Sequence, residues 1–391
     1  MNIDFNDTKT AFAYKSNFQL KRALRLFKMM NNRTLVYFGS RFANMALQLN
    51  LPVKAIIKNT IFEQFCGGEN VADCKSRIDQ LSMYNVGTIL DYSVEGKGEE
   101  VDFDATVSEI KRTIDAATGN KHIPFSVFKV TGLGSYSILK AANNGFNQLS
   151  PAKKEEYDKL FSRVDEICKY AFEKNVSIFI DAEDSWFQGT IDEIAEAMME
   201  KYNHQKVIVY TTIQFYRWDR MDYLKLLVRK AEKNHFKLGI KLVRGAYMEK
   251  ERKRAEELNY NDPIHKTKSA CDKDYDLALK FCIDRLDLLN ICAGTHNENS
   301  SAYLIDLMNE KKLENNDERI HFAQLLGMSD HISFNLSKNG FNVAKYVPYG
   351  PVDEVMPYLM RRAEENTSVA GQTSRELSLI KKEIRRRKLM Y

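Results

Sequence analysis

Short apolar segments alternate with longer amphipathic segments through most of this chain, and the alternation restricts its fold more than any other feature. Between Gly87 and Asn366, runs rich in β-branched and aromatic residues are each followed by a segment with three- and four-residue apolar spacing. The predicted strands are Thr88–Val94, Phe125–Thr131, Val176–Ala182, Lys206–Ile213, Lys237–Val243, Leu289–Gly294, Arg319–Gln324 and Val343–Pro348. Eight strands that alternate with helices predict an α/β fold, a closed (β/α)8 barrel of the TIM type.

An open doubly wound sheet is the alternative architecture. It usually has fewer strand–helix units and a glycine-rich first turn with the pattern G-x-G-x-x-G. Gly132-Leu-Gly134 follows a predicted strand, but the third glycine of that pattern is missing. The number of units and the absence of the glycine pattern therefore favour the barrel.

The segments on either side of the barrel have a different texture. Residues 1–86 show helical spacing, for example at Asn17–Met29 and Arg41–Leu51, and predict an N-terminal helical arm. Residues 87–366 form the predicted barrel. After Asn366 the pattern breaks at Thr-Ser-Val-Ala-Gly-Gln-Thr-Ser, and residues 367–391 predict a C-terminal basic helical tail.

Composition excludes several classes of protein. The chain has 391 residues, 44% of them hydrophobic, which is enough for a substantial core, yet no apolar run approaches the ~20 residues that span a bilayer. The first residues are partly acidic and lack an apolar signal segment, so we expect no leader. The six cysteines form no Cys-x-x-Cys pair and the seven histidines no ligand spacing, which argues for a reducing cytoplasmic location and against a metal.

The charge balance is mild. The net charge is +5, from 58 basic and 53 acidic residues, and the segment Lys381–Lys388 can account for most of the excess. A nucleic-acid partner is not expected. A basic helix end most often serves solubility, although it can also contact the inner face of a membrane as a peripheral anchor.

Polar residues close seven of the eight predicted strands. A barrel enzyme has its active site at the carboxyl ends of its strands, so these residues predict a polar cup. They are Lys129, Asp181, Glu183, Gln214, Tyr216, Lys241, Arg244, Tyr247, Thr295, His296, Asn297, Gln324 and Tyr346. A structural ion pair such as Lys129–Asp181 would explain two of them equally well, and a single His296 is more often structural than catalytic.

A second polar group lies on the helix predicted after the last strand. Beyond the turn at Gly350-Pro351, with Asp353 as the expected N-cap, Tyr358, Arg361, Arg362 and Glu365 follow at i, i+3, i+4 and i+7. Two guanidinium groups on one face can form paired hydrogen bonds to a carboxylate or a phosphate. An isolated R-R-x-x-E motif is more often part of a salt-bridged surface helix. The predicted barrel favours a functional role instead, because this helix would follow its last strand.

These motifs carry a resemblance to the proline dehydrogenase family. Lys241-Leu-Val-Arg-Gly-Ala-Tyr247 and Tyr358-Leu-Met-Arg-Arg-Ala-Glu-Glu-Asn366 resemble its signatures, and Asp181-Ala-Glu, Gln214-Phe-Tyr, Thr295-His-Asn and Gln324-Leu-Leu-Gly-Met occur in the family's order. The resemblance covers roughly residues 87–366. It implies a flavin-dependent (β/α)8 barrel that uses FAD to oxidise L-proline to Δ1-pyrroline-5-carboxylate and passes electrons to a quinone.

The resemblance also implies roles for individual residues. Arg361 and Arg362 would bind the proline carboxylate, with Lys129 across the pocket. The ring would contact Leu325, Tyr346, Tyr358 and Tyr247. Lys129, Asp181 and Tyr346 would be catalytic. The residues that would hold FAD are Gln214, Lys241, Val243, Arg244, Thr295, His296, Asn297 and Glu365. Lys241 and Met248 stand where bifunctional bacterial members have an arginine and a tryptophan, and the chain's length leaves no room for an aldehyde dehydrogenase module. A separate pyrroline-5-carboxylate dehydrogenase would then use the product.

Three alternatives remain open at this level. A hydroxyproline dehydrogenase of the same superfamily would need space for a ring hydroxyl where Tyr346 stands, so Tyr346 favours proline. A lyase or aldolase barrel would use Lys129 or Lys241 as a Schiff base. A non-catalytic scaffold on a membrane or RNA would leave the polar cup unexplained.

Overall fold

The computed structural model describes residues 3–32, 34, 36, 38–39, 52–94, 100–368 and 372–389. Within residues 364–368 and 372–373 it describes the backbone alone. The helical spacing at Arg41–Leu51 and the side chain of Glu365 therefore lie outside the described part of the chain. The fold below is that of the described ranges.

The strands form a closed barrel in the order of the chain, which confirms the TIM-type prediction. The pairs from β2 to β7 and the pair β1–β8 are parallel. The strands are β1 Val86–Tyr92, β2 Phe125–Lys129, β3 Ser177–Asp181, β4 Val209–Gln214, β5 Leu238–Val243, β6 Leu289–Gly294, β7 Ile320–Leu325 and β8 Val343–Tyr349. Because parallel neighbours need long crossovers, helices separate these strands along the chain.

Local sequence explains where several helices begin. Ser150 accepts a hydrogen bond from the Lys153 amide (3.4 Å), and Pro151 is the first residue of the helix Pro151–Glu173, a position that tolerates proline. The longer helices between the strands are Glu100–Ala117, Tyr136–Asn143, Pro151–Glu173, Ser185–Tyr202, Arg220–Asn234, Met248–Leu258, Lys268–Ile283, Glu298–Glu310 and Asp330–Lys338.

The start of β4 differs from the sequence-based expectation. The strand was expected to begin at Lys206, but it begins at Val209. The buried side chain of Asn203 accepts hydrogen bonds from the amides of Ile208 and Val209 (both 2.9 Å) and donates to the Val209 carbonyl (2.7 Å). A side chain thus satisfies backbone groups that a longer strand would have paired.

The chain divides into two compact units. The first unit, Gly96–Ala323, holds the strands from β2 to β6 and most of β7. Its core includes the stacked rings of Phe125 and Phe179, 4.3 Å apart. The ring of His321 lies 4.8 Å from Phe125, and burial lowers the pKa of this histidine to about 4. A neutral imidazole can therefore pack as a core side chain.

The second unit combines Asn2–Glu95 with Gln324–Tyr391. One apolar cluster contains Leu24 and Phe27 of the helix Asn17–Met30 together with Leu379 and Ile380 of the helix Gln372–Arg386. Its helices are Thr8–Ala11, Asn17–Met30, Lys54–Ile57, Glu63–Phe65, Lys75–Ser82, Asp330–Lys338, Met356–Ser368 and Gln372–Arg386. The arm and tail boundaries at residues 86 and 366 stay a prediction.

Two details of the second unit correct the sequence reading. The helix after β8 begins at Met356, and the side chain of Asp353, expected to cap it, pairs with Lys54. The basic tail is also tied into the fold: Arg387 donates to the carbonyls of Phe12 (2.7 Å) and Lys15 (2.8 Å) and to Glu383. Part of the tail's charge therefore holds the two ends of the chain together.

Within the described ranges, no helix combines the length and the apolar content that a membrane crossing requires.

Candidate active site

A buried ion pair joins the ends of β3 and β5 in the first unit. Lys241 pairs with Asp181, and the two side chains are 6% and 13% exposed. The Lys241 ammonium also lies 5.0 Å from the ring centroid of Phe179, and Thr212 donates to Asp181 (3.4 Å). The sequence did not predict the pair between Asp181 and Lys241. The β2–β3 register places Lys129 beside Asp181.

Glu183 is a second buried carboxyl group at the end of β3. It is 4% exposed, accepts hydrogen bonds from the amide (3.1 Å) and hydroxyl of Thr131, and its own amide donates to Gln188. Burial raises its pKa to about 7, against the opposing effects of Thr131 and of the Lys129 charge. Sequence reasoning placed Glu183 at this strand end without a role. The alternation Asp-Ala-Glu was the available signal.

The raised pKa of Glu183 makes stability depend on pH. The unfolded chain releases this proton near pH 4.5 and the folded chain near pH 7, so the free energy of unfolding should fall by roughly 3 kcal/mol across that window. Glu183→Gln should remove this contribution, because an amide does not titrate. Urea unfolding at pH 5 and pH 8 measures the difference. The exposed Glu173→Gln is the control and should keep the wild-type slope; an unchanged slope in Glu183→Gln would contradict the assignment.

Arg244, just after β5, is held by a ring of contacts. It donates to Asp272 (2.7 Å), Thr295 (2.7 Å) and Ser300 (2.9 Å), and it lies 4.3 Å from the ring centroid of Tyr275. Burial raises the pKa of Asp272, but hydrogen bonds from Lys268 and Arg244 outweigh it and keep the pKa below its usual value. Sequence reasoning paired neither Asp272 nor Ser300 with Arg244, because both lie on helices far along the chain.

The other expected cofactor residues of the first unit have varied surroundings. Gln214 is buried at the end of β4, and among the described residues its amide oxygen has no hydrogen-bond partner. Asn297 caps the helix Glu298–Glu310 by accepting from the amides of Asn299 (2.9 Å) and Ser300 (3.4 Å). A structural task thus accounts for part of its presence. Val243 is the last residue of β5, and Thr295 and His296 are buried and half-buried residues just after β6. Tyr247, expected at the substrate ring, is half-buried after the end of β5.

The expected substrate residues of the second unit lie on β7, β8 and the helix Met356–Ser368. Arg362 is 6% exposed, with its guanidinium carbon 5.4 Å from the ring centroid of Tyr358, and Arg361 is half-buried. Tyr358 belongs to the apolar cluster against which Leu325 packs. Tyr346 is buried on β8, and its carbonyl accepts from the amide of Leu326 (2.8 Å). A surface helix would have left both guanidinium groups in solvent, and this one does not.

Metal chemistry has no visible support in the described ranges. No three His, Cys, Asp or Glu side chains there are grouped so that they could hold an ion. The six cysteines all lie in the described ranges, where they are buried and form no disulfide. Burial raises the pKa of the Cys271 thiol to about 11, against the opposing effect of the Arg244 charge. A thiolate nucleophile is disfavoured at that position.

A closed parallel barrel with buried charges at its strand ends is the architecture of a TIM-barrel enzyme. The model of the family described as proline dehydrogenase matches residues 74–375. Proline dehydrogenase 1, mitochondrial, of Dictyostelium discoideum is 32% identical over 97% of this chain and 74% of its own length. Proline dehydrogenase 2, mitochondrial, of Arabidopsis thaliana is 30% identical over 100% of this chain and 92% of its own. The chain belongs to the proline dehydrogenase family, whose members are oxidoreductases.

Solved structures show the same fold. Proline utilization A from Bdellovibrio bacteriovorus, inactivated by N-propargylglycine, superposes with a TM-score of 0.70 at 20% identity. The match covers 94% of this chain and 37% of that longer chain. At this identity the likeness supports the barrel architecture alone.

Proposed function

We propose that this protein oxidises L-proline to Δ1-pyrroline-5-carboxylate with FAD as cofactor and a quinone as electron acceptor. Membership of the proline dehydrogenase family supports the reaction. The observation that carries the site assignment is Arg362, a buried guanidinium beside Tyr358 on a helix that also bears Arg361. A guanidinium group can form paired hydrogen bonds to a carboxylate, and the carboxylate of an amino acid is a suitable ligand for it.

The residues of the first unit fit a flavin. The buried amide oxygen of Gln214, which has no protein partner in the described ranges, suits a ring N–H of an isoalloxazine. Gln214, Lys241, Val243, Arg244, Thr295 and His296 would hold the cofactor, as would Glu365. When bound, FAD supplies the capacity to accept a hydride from a carbon beside an amine.

The chain's own residues would orient the substrate and shape its electrostatics. Arg361 and Arg362 would bind the carboxylate, with Lys129 as a further cation, which fixes the position of the reacting C–H bond. Leu325, Tyr346, Tyr358 and Tyr247 would contact the ring and exclude water. Lys241, held by Asp181, would present a fixed positive charge where negative charge develops.

Two rival functions fit the residues less well. A Schiff-base mechanism needs an amine that is free to attack a carbonyl carbon, whereas the amine of Lys241 is paired with the buried carboxylate of Asp181. A hydroxyproline substrate needs room at Tyr346, whose aromatic ring is buried on β8. Proline therefore remains the favoured substrate.

A quinone acceptor would bring the protein to a membrane surface, and we propose a peripheral contact on its inner face from the cytoplasm. Arg387 and Lys382 of the basic tail donate to carbonyls of the N-terminal segment, including that of Asn6 (2.7 Å), so they contribute less to such a contact than their number suggests. A separate pyrroline-5-carboxylate dehydrogenase would consume the product.

The visible spectrum of the purified protein tests the proposal. We expect flavin absorbance, and we expect anaerobic L-proline to bleach it within seconds to minutes. D-Proline and trans-4-hydroxy-L-proline are the matched controls and should bleach it far more slowly. A colourless protein, or a yellow one that proline leaves unchanged, would refute the proposed reaction.

A further inference from the structure

The backbone between β7 and the next helix has a conformation that needs support. In this segment, Gln324–Asp330, Gly327 has φ +77° and Ser329 has φ +51°. The second value is costly for a residue with a side chain. A Cβ atom at Gly327 would lie 2.2 Å from the Gln64 carbonyl oxygen, so the turn is also tightly enclosed. Leu325 lies in this segment, and the amide of Leu326 donates a hydrogen bond to the Tyr346 carbonyl (2.8 Å).

The side chain of Lys345, on β8, binds three residues of this segment. It is completely buried, and its ammonium donates to the carbonyls of Leu325 (3.3 Å) and Met328 and pairs with Asp330 (3.0 Å). Asp330 also accepts from the Tyr14 hydroxyl (2.7 Å). Lys345 directly precedes Tyr346, so one buried cation connects two of the residues assigned to the substrate ring, Leu325 and Tyr346.

Glu376 supports the same segment from the C-terminal helix Gln372–Arg386. Its carboxylate is 2% exposed and accepts the amide N–H of Ser329, the residue with the costly φ. It also lies 3.9 Å from Nδ1 of His331. A buried acceptor at this amide removes the cost of leaving the N–H unpaired and so stabilises the turn.

We propose that Glu376 and Lys345 are positioning residues for the substrate pocket. They hold the segment Gln324–Asp330 so that Leu325 and Tyr346 keep the spacing that a pyrrolidine ring requires. The inference rests on the proposed function, because the ring contacts belong to it. A displacement of about 1 Å at a substrate contact can cost two orders of magnitude in rate, which makes a distant support measurable.

The same helix offers a matched control. Glu383 is also buried, and its carboxylate accepts hydrogen bonds from Arg386 and Arg387 of the same helix. We expect Glu376→Leu to raise the KM for proline about tenfold, with a smaller change in kcat. Glu383→Leu should lower the melting temperature while the KM stays at the wild-type value. Glu376→Gln keeps an oxygen that accepts the Ser329 N–H and should restore the KM.

Amide hydrogen exchange gives a readout that does not depend on turnover. Glu376→Leu should accelerate exchange at Ser329 at least tenfold relative to wild type, and Glu383→Leu should not. If Glu376→Leu does not fold, Glu376→Asp draws the carboxylate back by one methylene and should show the same changes at smaller size. Equal KM values in the Glu376 and Glu383 variants would overturn the positioning role. Wild-type protein that does not oxidise proline would instead refute the proposed function. Hydrogen exchange at Ser329 would still show whether Glu376 stabilises the segment.

Discussion

Replacement of Arg362 by methionine should raise the KM for proline about 100-fold, and replacement of Arg361 about tenfold. A charge-assisted hydrogen bond contributes on the order of 1.5–3 kcal/mol, which corresponds to factors of this size. Arg362 should have the larger effect because it is the more buried of the two, beside Tyr358. Steady-state kinetics with an artificial electron acceptor measures both values.

The bound flavin distinguishes a lost substrate contact from a damaged fold. Both variants should keep the wild-type ratio of flavin to protein absorbance, because the proposed role of the two arginines is at the carboxylate. Arg386→Met is the control: Arg386 is half-exposed, bonds to Glu383, and should leave the KM unchanged. A wild-type KM in Arg362→Met would remove the basis for the proposed carboxylate site.

Breaking the ion pair between Asp181 and Lys241 should have the largest effect on stability. Either Asp181→Leu or Lys241→Met should lower the free energy of unfolding by about 3–5 kcal/mol, because the partner is left charged and buried. The double variant should recover part of this loss, because neither member of the pair is then left buried without the other. Urea unfolding of the four proteins provides the cycle.

Activity should not follow stability in this series. The stable double variant should still have a kcat at least 100-fold below wild type, because the fixed cation proposed to stabilise developing negative charge is gone. The exposed pair Lys201–Asp165 is the control, and its removal should change the free energy of unfolding by less than about 1 kcal/mol. Full activity in Lys241→Met would show that this lysine has a purely structural role.

Functional residues whose position follows from the alternation of strands and helices could be predicted from the sequence. Each strand is a short apolar run, and its last polar residue marks the end at which a parallel barrel collects its functional groups. Asp181 and Gln214 end β3 and β4 in the structure, as their spacing predicted, whereas Lys241 lies within β5, two residues before its end. The paired arginines could also be predicted from sequence, because the i, i+3 and i+4 positions lie on one face of a single helix.

Partners that meet through distant parts of the chain were not accessible. Only the packed barrel brings Lys241 to Asp181, which is 60 residues away in the sequence. The side chain of Asn203 accepts hydrogen bonds from the amides of Ile208 and Val209, where β4 begins. Strand propensities of single residues do not predict such hydrogen bonds. Glu376 reaches the Ser329 amide across 47 residues, in a tail that by itself read as a basic helix end.

The sequence alone determined the number and order of the strands, the helices between them, and the chemical character of each strand end, because these depend on residues a few positions apart. The tertiary structure decided which charges neutralise one another, which backbone turns receive a buried acceptor, and how much of the tail's charge is used inside the fold. The physical reason is the cost of burying an unpaired charge or N–H group. This cost is removed when packing brings a partner within about 3 Å, and local patterns along the chain do not predict which group that partner is.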